Sequence, residues 1–169
     1  MKIYVDTADL NEIKLLEENL PLAGVTMNPS ITAKSGIALS VLIPQIRAML
    51  GKDRMIFAQV IASDCAGMVE EACRLSAMDE NIVIKIPVTS EGLKAIKKLK
   101  SHQVRTLGTA VYTTTQGLLA ALAGAEFVAP YFNRIEALSG NGLETVSALV
   151  KILALHAPHC KVFGASYKN

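Results

Sequence analysis

The chain has 169 residues, of which 51% are hydrophobic and 19% charged, enough to bury the core of one compact domain and too apolar for disorder. Its 17 Lys and Arg against 15 Asp and Glu leave a formal charge of +2, too small for a phosphate-backbone surface; with 5% aromatics and no Trp, a base-stacking platform is excluded too. No apolar run approaches the roughly 20 residues that span a bilayer, and MKIYVDTADL lacks a basic region followed by a long apolar stretch, so a cytoplasmic protein with neither membrane nor nucleic acid as partner is expected.

Short β-branched runs alternate with longer helical segments, the pattern of repeated βα units on a parallel sheet. A strand over residues 2–6 (KIYVD) leads into a helix over 7–20, which a Thr/Asp cap opens, Leu10, Ile13, Leu16 and Leu20 stripe, and Pro21 ends. A second strand, 23–28 (AGVTMN), precedes a helix at 40–50 that Pro44 is expected to start or kink. Strand 55–61 (MIFAQVI) is followed by an amphipathic helix over 66–78. Strand 81–88 (NIVIKIPV) is followed by a helix over 91–100, with Ile96 and Leu99 inward and Lys94, Lys97, Lys98 and Lys100 as a solvated face.

Strand 105–111 (RTLGTAV) leads to an almost apolar helix with Thr113 and Gln116 at capping-box spacing and Gly124 at its end. Strand 126–133 (EFVAPYFN) is sixth. Gly140-Asn141-Gly142 then reads as a flexible loop or, alternatively, as an anion cradle opening the helix at 142–156, which stops before Pro158. Strand 161–167 (KVFGASY) is seventh. No linker or break in composition interrupts the pattern, so residues 1–169 form a single α/β domain. Cys65, Cys73 and Cys160 are odd in number and lack CxxC spacing; they read as bystander thiols, and His102, His156 and His159 as solvated residues in turns and at helix ends.

Strands of parallel α/β proteins are buried on both faces, so polar residues inside them call for a reason. Here they share one parity: Tyr4 and Asp6, Thr26 and Asn28, Phe57 and Gln59, Val83 and Lys85, Leu107 and Thr109, Ala129 and Tyr131. The other parity, including Val5, Val25, Ile56, Ala58, Ile84, Ala110 and Val128, forms a helix-facing wall. A polar residue near the C-terminal end of successive strands, all on one side, fits a TIM barrel with its site at that mouth. A doubly wound sheet is the structural alternative.

Lys85 stands in the middle of IVIKIPV, where desolvation disfavours the ammonium and leaves a nucleophilic amine, the chemistry of a Schiff-base lysine. Its bland counterpart is a structural lysine paired with Asp6 or snorkelling to the sheet end. Gln59, Thr109 and Tyr131 are placed to hold a water that moves protons, and Asp6 and Asn28 to orient substrate hydroxyls; Asp6, Thr26 and Asn28 read equally as loop caps, Tyr131 alternatively as a core tyrosine with a satisfied hydroxyl, and Gln59 as a buried hydrogen-bonded spacer. Arg134 is either a surface arginine or a phosphate clamp. Leu107 and Ala129 share the inward parity and would shape the donor pocket.

The strings YVDTAD, LAGVTMNPSI, FAQV, IVIKIPVTSEGLKAIK, TLGTAVYTTTQGLLAALAGAEFVAPYFNRI and GASYK run through nearly the whole chain and resemble the small class of the transaldolase and fructose-6-phosphate aldolase family. The resemblance implies a (β/α)8 barrel in which Lys85 forms a Schiff base with a ketose or ketone donor, with no cofactor and no metal. It further implies Asp6 and Asn28 on the donor, Gln59, Thr109 and Tyr131 around a catalytic water, and Arg134 and Ser166 on the acceptor's phosphate. Transaldolases carry a glutamate where this chain has Gln59, so the resemblance favours aldol cleavage and formation of fructose 6-phosphate from dihydroxyacetone and glyceraldehyde 3-phosphate. The alternatives are transaldolase activity and an inactive remnant. Relatives continue past the GASYK string with an eighth strand and terminal helices, so the barrel is expected to be incomplete, truncated at the C-terminus, and the protein a ring-like homo-oligomer.

Overall fold

The computed structural model describes residues 1–167; Lys168 and Asn169, the end of the GASYK string, lie outside them. Seven parallel strands lie side by side in chain order: β1 (Ile3–Asp6), β2 (Leu22–Thr26), β3 (Met55–Gln59), β4 (Ile82–Pro87), β5 (Thr106–Val111), β6 (Phe127–Pro130) and β7 (Lys161–Val162). Eight helices among the described residues connect them: α1 (Leu10–Asn19), α2 (Pro29–Ser35), α3 (Leu39–Leu50), α4 (Cys65–Ser76), α5 (Ser90–Ser101), α6 (Thr114–Ala123), α7 (Phe132–Ser139) and α8 (Gly142–His156).

The sheet is curled. Tyr4 of β1 and Phe163, just past β7, have ring centroids 4.7 Å apart, and Phe57 of β3 touches both as well as Phe127 of β6, at 5.0–5.5 Å. Side chains from strands so distant in the sheet order meet only if the sheet bends round on itself, which gives a half-barrel. Among the described residues no pairing joins β1 to β7. These rings, with Val83, Leu107 and Ala129, fill the concave side, whereas Val25, Ile56, Ala58, Ile84, Ile86 and Val128 pack outward against the helices. The two predicted parities are therefore the two faces of the sheet.

One position departs from that parity. Ala110, expected on the outer wall, has φ of 57°, and the pairing of β5 with β6 shifts register between Gly108 and Val111, so Val111 takes the buried outer place instead. The extra residue is a bulge.

The helices expected at 7–20, 40–50, 66–78, 91–100 and 142–156 form within a few residues of those bounds, as does the one after Thr113. Asp9 caps α1 through the N–H groups of Asn11 and Glu12, the Thr113/Gln116 capping box opens α6, and Gly124 closes it at φ 116°. α3 continues through Pro44. Two helices are additional. α2 follows Asn28, whose side chain caps it, with Pro29 in its first turn. α7 replaces the last residues of the strand expected at 126–133: its first N–H groups, on Phe132 and Asn133, donate to the carbonyls of Ala165 and Ser166, so the segment after β7 decides where β6 ends. The run expected at 161–167 pairs as a strand only over Lys161–Val162, with a single further bridge between Ala165 and Tyr131. The anion-cradle alternative at Gly140-Asn141-Gly142 is overturned, because the Glu136 carboxylate already accepts from Gly142 N at 2.7 Å.

Two polar clamps tie the strand starts. Arg47 of α3 makes a bidentate pair with Asp79 at 2.6 Å on both nitrogens and donates to the Arg54 carbonyl at 2.8 Å. Arg105 makes a bidentate pair with Glu126 at 2.7 and 2.8 Å beneath the aromatic cluster.

Candidate active site

At the C-terminal ends of the strands lies a cavity of about 340 Å³. Asp6, Thr26, Asn28 and Lys85 line one side of it; Leu107, Thr109, Ala129 and Tyr131 line the other, with Arg134 and Ser166 at its rim. Every residue expected at the site lines this cavity except Gln59. Gln59 ends β3 in register with Lys85, and its Oε1 is buried without a hydrogen-bond partner among the described residues.

Lys85 is buried, at 8% exposure. Its Nζ donates to Thr26 Oγ1 at 3.0 Å, and it forms no ion pair among the described residues. Burial holds its pKa below the ordinary lysine value, opposed by the field of Asp6. The pairing with Asp6 offered as the bland reading is thus replaced by a neutral hydroxyl, with Asp6 acting through space. Asp6 is raised, by desolvation first, with Lys85 pulling it the other way. Although its residue surface is largely open at the free edge of β1, the cavity wall shields it enough for that direction to hold. Asn28 caps α2 through its Oδ1, which accepts from Ile31 N, and it also lines the cavity. Among the described residues Thr26 caps nothing; its hydroxyl accepts from Lys85.

Opposite, Thr109 Oγ1 and Tyr131 OH share a hydrogen bond at 3.2 Å. The Arg134 guanidinium lies 4.9 Å from the centroid of the Tyr131 ring and donates to Tyr112 OH at 3.2 Å. Ser166, at φ 63°, is held beside α7 by its own carbonyl bond from Asn133 N at 3.2 Å.

Several lining residues escaped the sequence reading. Phe163, Gly164, Ala165 and Tyr167 enter the cavity because the segment after β7 folds over α7, where Tyr167 stacks on Phe132 at 5.2 Å. The signal available was composition: aromatics are scarce, and all of those in this chain sit in the concave cluster or around this mouth. Elsewhere the thiols of Cys65 and Cys160 are buried, and burial pushes Cys160 up to about 12. The three histidines are exposed. No helix among the described residues is long and apolar enough to cross a membrane.

A buried amine with a lowered proton affinity, a hydroxyl pair across the cavity and a guanidinium at the rim can form an imine, move protons and hold an anion. A family model described as Transaldolase/Fructose-6-phosphate aldolase matches residues 3–169. Among solved structures, the chain is similar to a mandelate racemase/muconate lactonizing protein from Paracoccus denitrificans (13% identity, TM-score 0.67, 96% of this chain and 46% of that one). It is also similar to a flavocytochrome b2 variant (14%, TM-score 0.65, 99% and 51%) and a mandelate oxidase variant (10%, TM-score 0.63, 96% and 55%). At such identities the likeness is one of fold, and the chain spans about half the length of each.

Proposed function

Because the chain belongs to the transaldolase/fructose-6-phosphate aldolase family, we propose that it is a class I aldolase that joins dihydroxyacetone to glyceraldehyde 3-phosphate, and cleaves fructose 6-phosphate into them, through a Schiff base on Lys85. The observation that carries the reading is the environment of Lys85: an amine at 8% exposure, bonded to a neutral hydroxyl, at the edge of a polar cavity. A lysine kept for an ion pair would face a carboxylate; this one is kept where its proton is easily lost.

In the synthetic direction the neutral Nζ attacks the carbonyl carbon of dihydroxyacetone, whose oxygen takes up a proton and then leaves as water. Loss of a proton from the adjacent carbon of the iminium gives the enamine. That carbon attacks the aldehyde carbon, the aldehyde oxygen is protonated, and water hydrolyses the new imine to release the ketose and restore the amine. Tyr131, paired with Thr109, is the proton carrier, and Gln59, Thr109 and Tyr131 hold the water that relays it. The unpartnered Gln59 Oε1 supports this placement, since it supplies an acceptor beside Lys85. Asp6, Asn28 and Thr26 take donor hydroxyls, Leu107 and Ala129 bound the donor end, and Arg134 and Ser166 bind the acceptor's phosphate. In this reading the barrel works as part of a cytoplasmic homo-oligomer.

The second reading is transaldolase activity, which passes the same three-carbon unit between sugar phosphates. The neutral amide at position 59 favours the first, because an amide cannot take up a proton and leaves that work to Tyr131.

The test is the intact mass of the protein after incubation with dihydroxyacetone and borohydride, with Lys85→Met alongside. One adduct, lost in the variant, is expected; a folded wild-type chain without an adduct overturns the reading. Release of free dihydroxyacetone from fructose 6-phosphate without added acceptor then separates an aldolase from a transferase, which would release little.

A further inference from the structure

We propose that Tyr112 is a positioning residue that holds Arg134 ready for the acceptor's phosphate and keeps the Tyr131 ring in place; the proposal rests on the aldolase reading of the same site. Tyr112 is half-buried and does not line the cavity, so it acts through its neighbours. Its hydroxyl accepts from Arg134 Nη1 at 3.2 Å, and its ring meets the Tyr131 ring edge-on, centroids 5.8 Å apart at 70°. Arg134 in turn lies over the Tyr131 ring at 4.9 Å. The three side chains form a closed triangle at the rim of the cavity.

Tyr112 is itself unusually well fixed for a residue just past a strand. Its backbone N–H donates at 2.8 Å to Gln116 Oε1, the amide that also closes the α6 capping box through Thr113 N at 3.2 Å. Two residues upstream, the Ala110 bulge alters the direction in which the end of β5 presents its side chains. The α6 cap therefore fixes Tyr112, and Tyr112 fixes Arg134. An exposed arginine at the start of α7 would otherwise lose much side-chain freedom on clamping an anion; a phenol that already holds one terminal nitrogen removes part of that cost and leaves the other guanidinium donors for phosphate oxygens.

The test uses Tyr112→Phe, which removes the hydroxyl and keeps the ring, and Tyr112→Ala, which removes both. With glyceraldehyde 3-phosphate as acceptor, Tyr112→Phe raises KM about five- to tenfold, the loss of one hydrogen bond to a charged group, while kcat and the kinetics with unphosphorylated glyceraldehyde move less than about twofold. Tyr112→Ala adds a fall in kcat of about tenfold with both acceptors, as Tyr131 loses its edge contact. A KM in Tyr112→Phe within twofold of wild type, or an equal rise for both acceptors, overturns the proposal. Borohydride trapping at Lys85 proceeds to the same extent in all three proteins; if the folded wild type traps nothing, the aldolase reading fails on its own account. The Arg134 Nε–H resonance, assigned with Arg134→Lys, then decides the positioning role without activity: inorganic phosphate shifts it, at about five- to tenfold higher concentration in Tyr112→Phe. Equal midpoints, or no shift in either protein, overturn it.

Discussion

Lys85 reaches past β3 to the hydroxyl of Thr26 on β2, 3.0 Å from its Nζ, although its in-register neighbours are Gln59 on one side and Leu107 on the other. All three partners are uncharged, so an ammonium at this point gains one hydrogen bond and the distant field of Asp6 against the loss of its water.

That imbalance makes Lys85 a cost to stability at neutral pH. Its pKa is lower in the folded than in the unfolded chain, so the penalty is complete below the folded pKa and fades as pH rises to the ordinary lysine value of about 10.4. Lys85→Met, close in volume and apolar, is expected to raise stability by about 1–2 kcal/mol at pH 7, with the gain shrinking toward pH 10. Urea titrations across that range check it. A variant no more stable than wild type at pH 7 would mean that the amine is adequately solvated where it stands.

Asp6 tunes the same group from the edge of the sheet. Its carboxylate raises the Lys85 pKa against desolvation, so Asp6→Asn lets the amine lose its proton at lower pH. The rising limb of the rate of reductive trapping by dihydroxyacetone and cyanoborohydride should therefore move to lower pH in Asp6→Asn, whatever happens to its amplitude through lost donor contacts. A shift upward, or an unmoved midpoint, sinks the assignment of Asp6 as the field that Lys85 feels.

Much of this site could be read from the chain because period-2 alternation is a property of each strand by itself: once Lys85, Thr109 and Asp6 share a parity, a curled sheet must bring them to one side. The exceptions arise where distant backbone decides local structure. Tyr131, Phe132 and Asn133 look like strand, yet α7 starts there because Ala165 and Ser166 accept its first N–H groups, and nothing near residue 131 announces that. Ala110 turns out of register at φ 57°, a conformation that Gly or Asn would announce and Ala does not; Gly108, at the edge of the register shift, is the one mark in this strand. The Asn28-Pro29 pair is, by contrast, a local helix start, with a capping side chain and a proline in the first turn, which a loop-cap reading of Asn28 does not extend into a helix. Tyr112 stayed hidden because its role depends on Arg134, twenty-two residues on, and not on any motif.

At the opposite end of the strands, the Arg47–Asp79 clamp is a stability element with its own pH signature. Burial would raise the Asp79 carboxyl, but the two hydrogen bonds from Arg47, the N–H of Asn81 and the charge of Arg47 together hold it below the ordinary carboxylate value. Its stabilisation is present above about pH 4 and is lost as pH falls through the depressed pKa. Asp79→Ala, which strands the mostly buried Arg47, is expected to cost about 2–4 kcal/mol at pH 7. The gap between variant and wild type, followed by urea denaturation, should narrow below pH 4; a gap that stays constant into acid would assign the loss to packing alone.

Gly92 sets how closely α5 sits on the strand that carries Lys85. A Cβ added there would lie 1.8 Å from the Pro87 carbonyl oxygen and 3.3 Å from Ile86 Cγ2, so the backbone of β4 and the first turn of α5 cannot both stay where they are. Nor can the helix simply slide away, since Gly92 N is bound by the Thr89 cap at 3.0 Å and Ala95, Ile96 and Leu99 are fully buried behind it. Gly92→Ala is expected to cost about 3 kcal/mol or more, the upper end for overpacking, and to reduce Lys85 trapping in whatever fraction still folds at low temperature. Gly36→Ala is the control: at φ 66° a side chain is strained, yet its Cβ would meet nothing within 4 Å, so the cost should be only about 1 kcal/mol. Thermal melts by circular dichroism compare the two. Equal losses would mean that the close approach of α5 to β4 does not govern position 92.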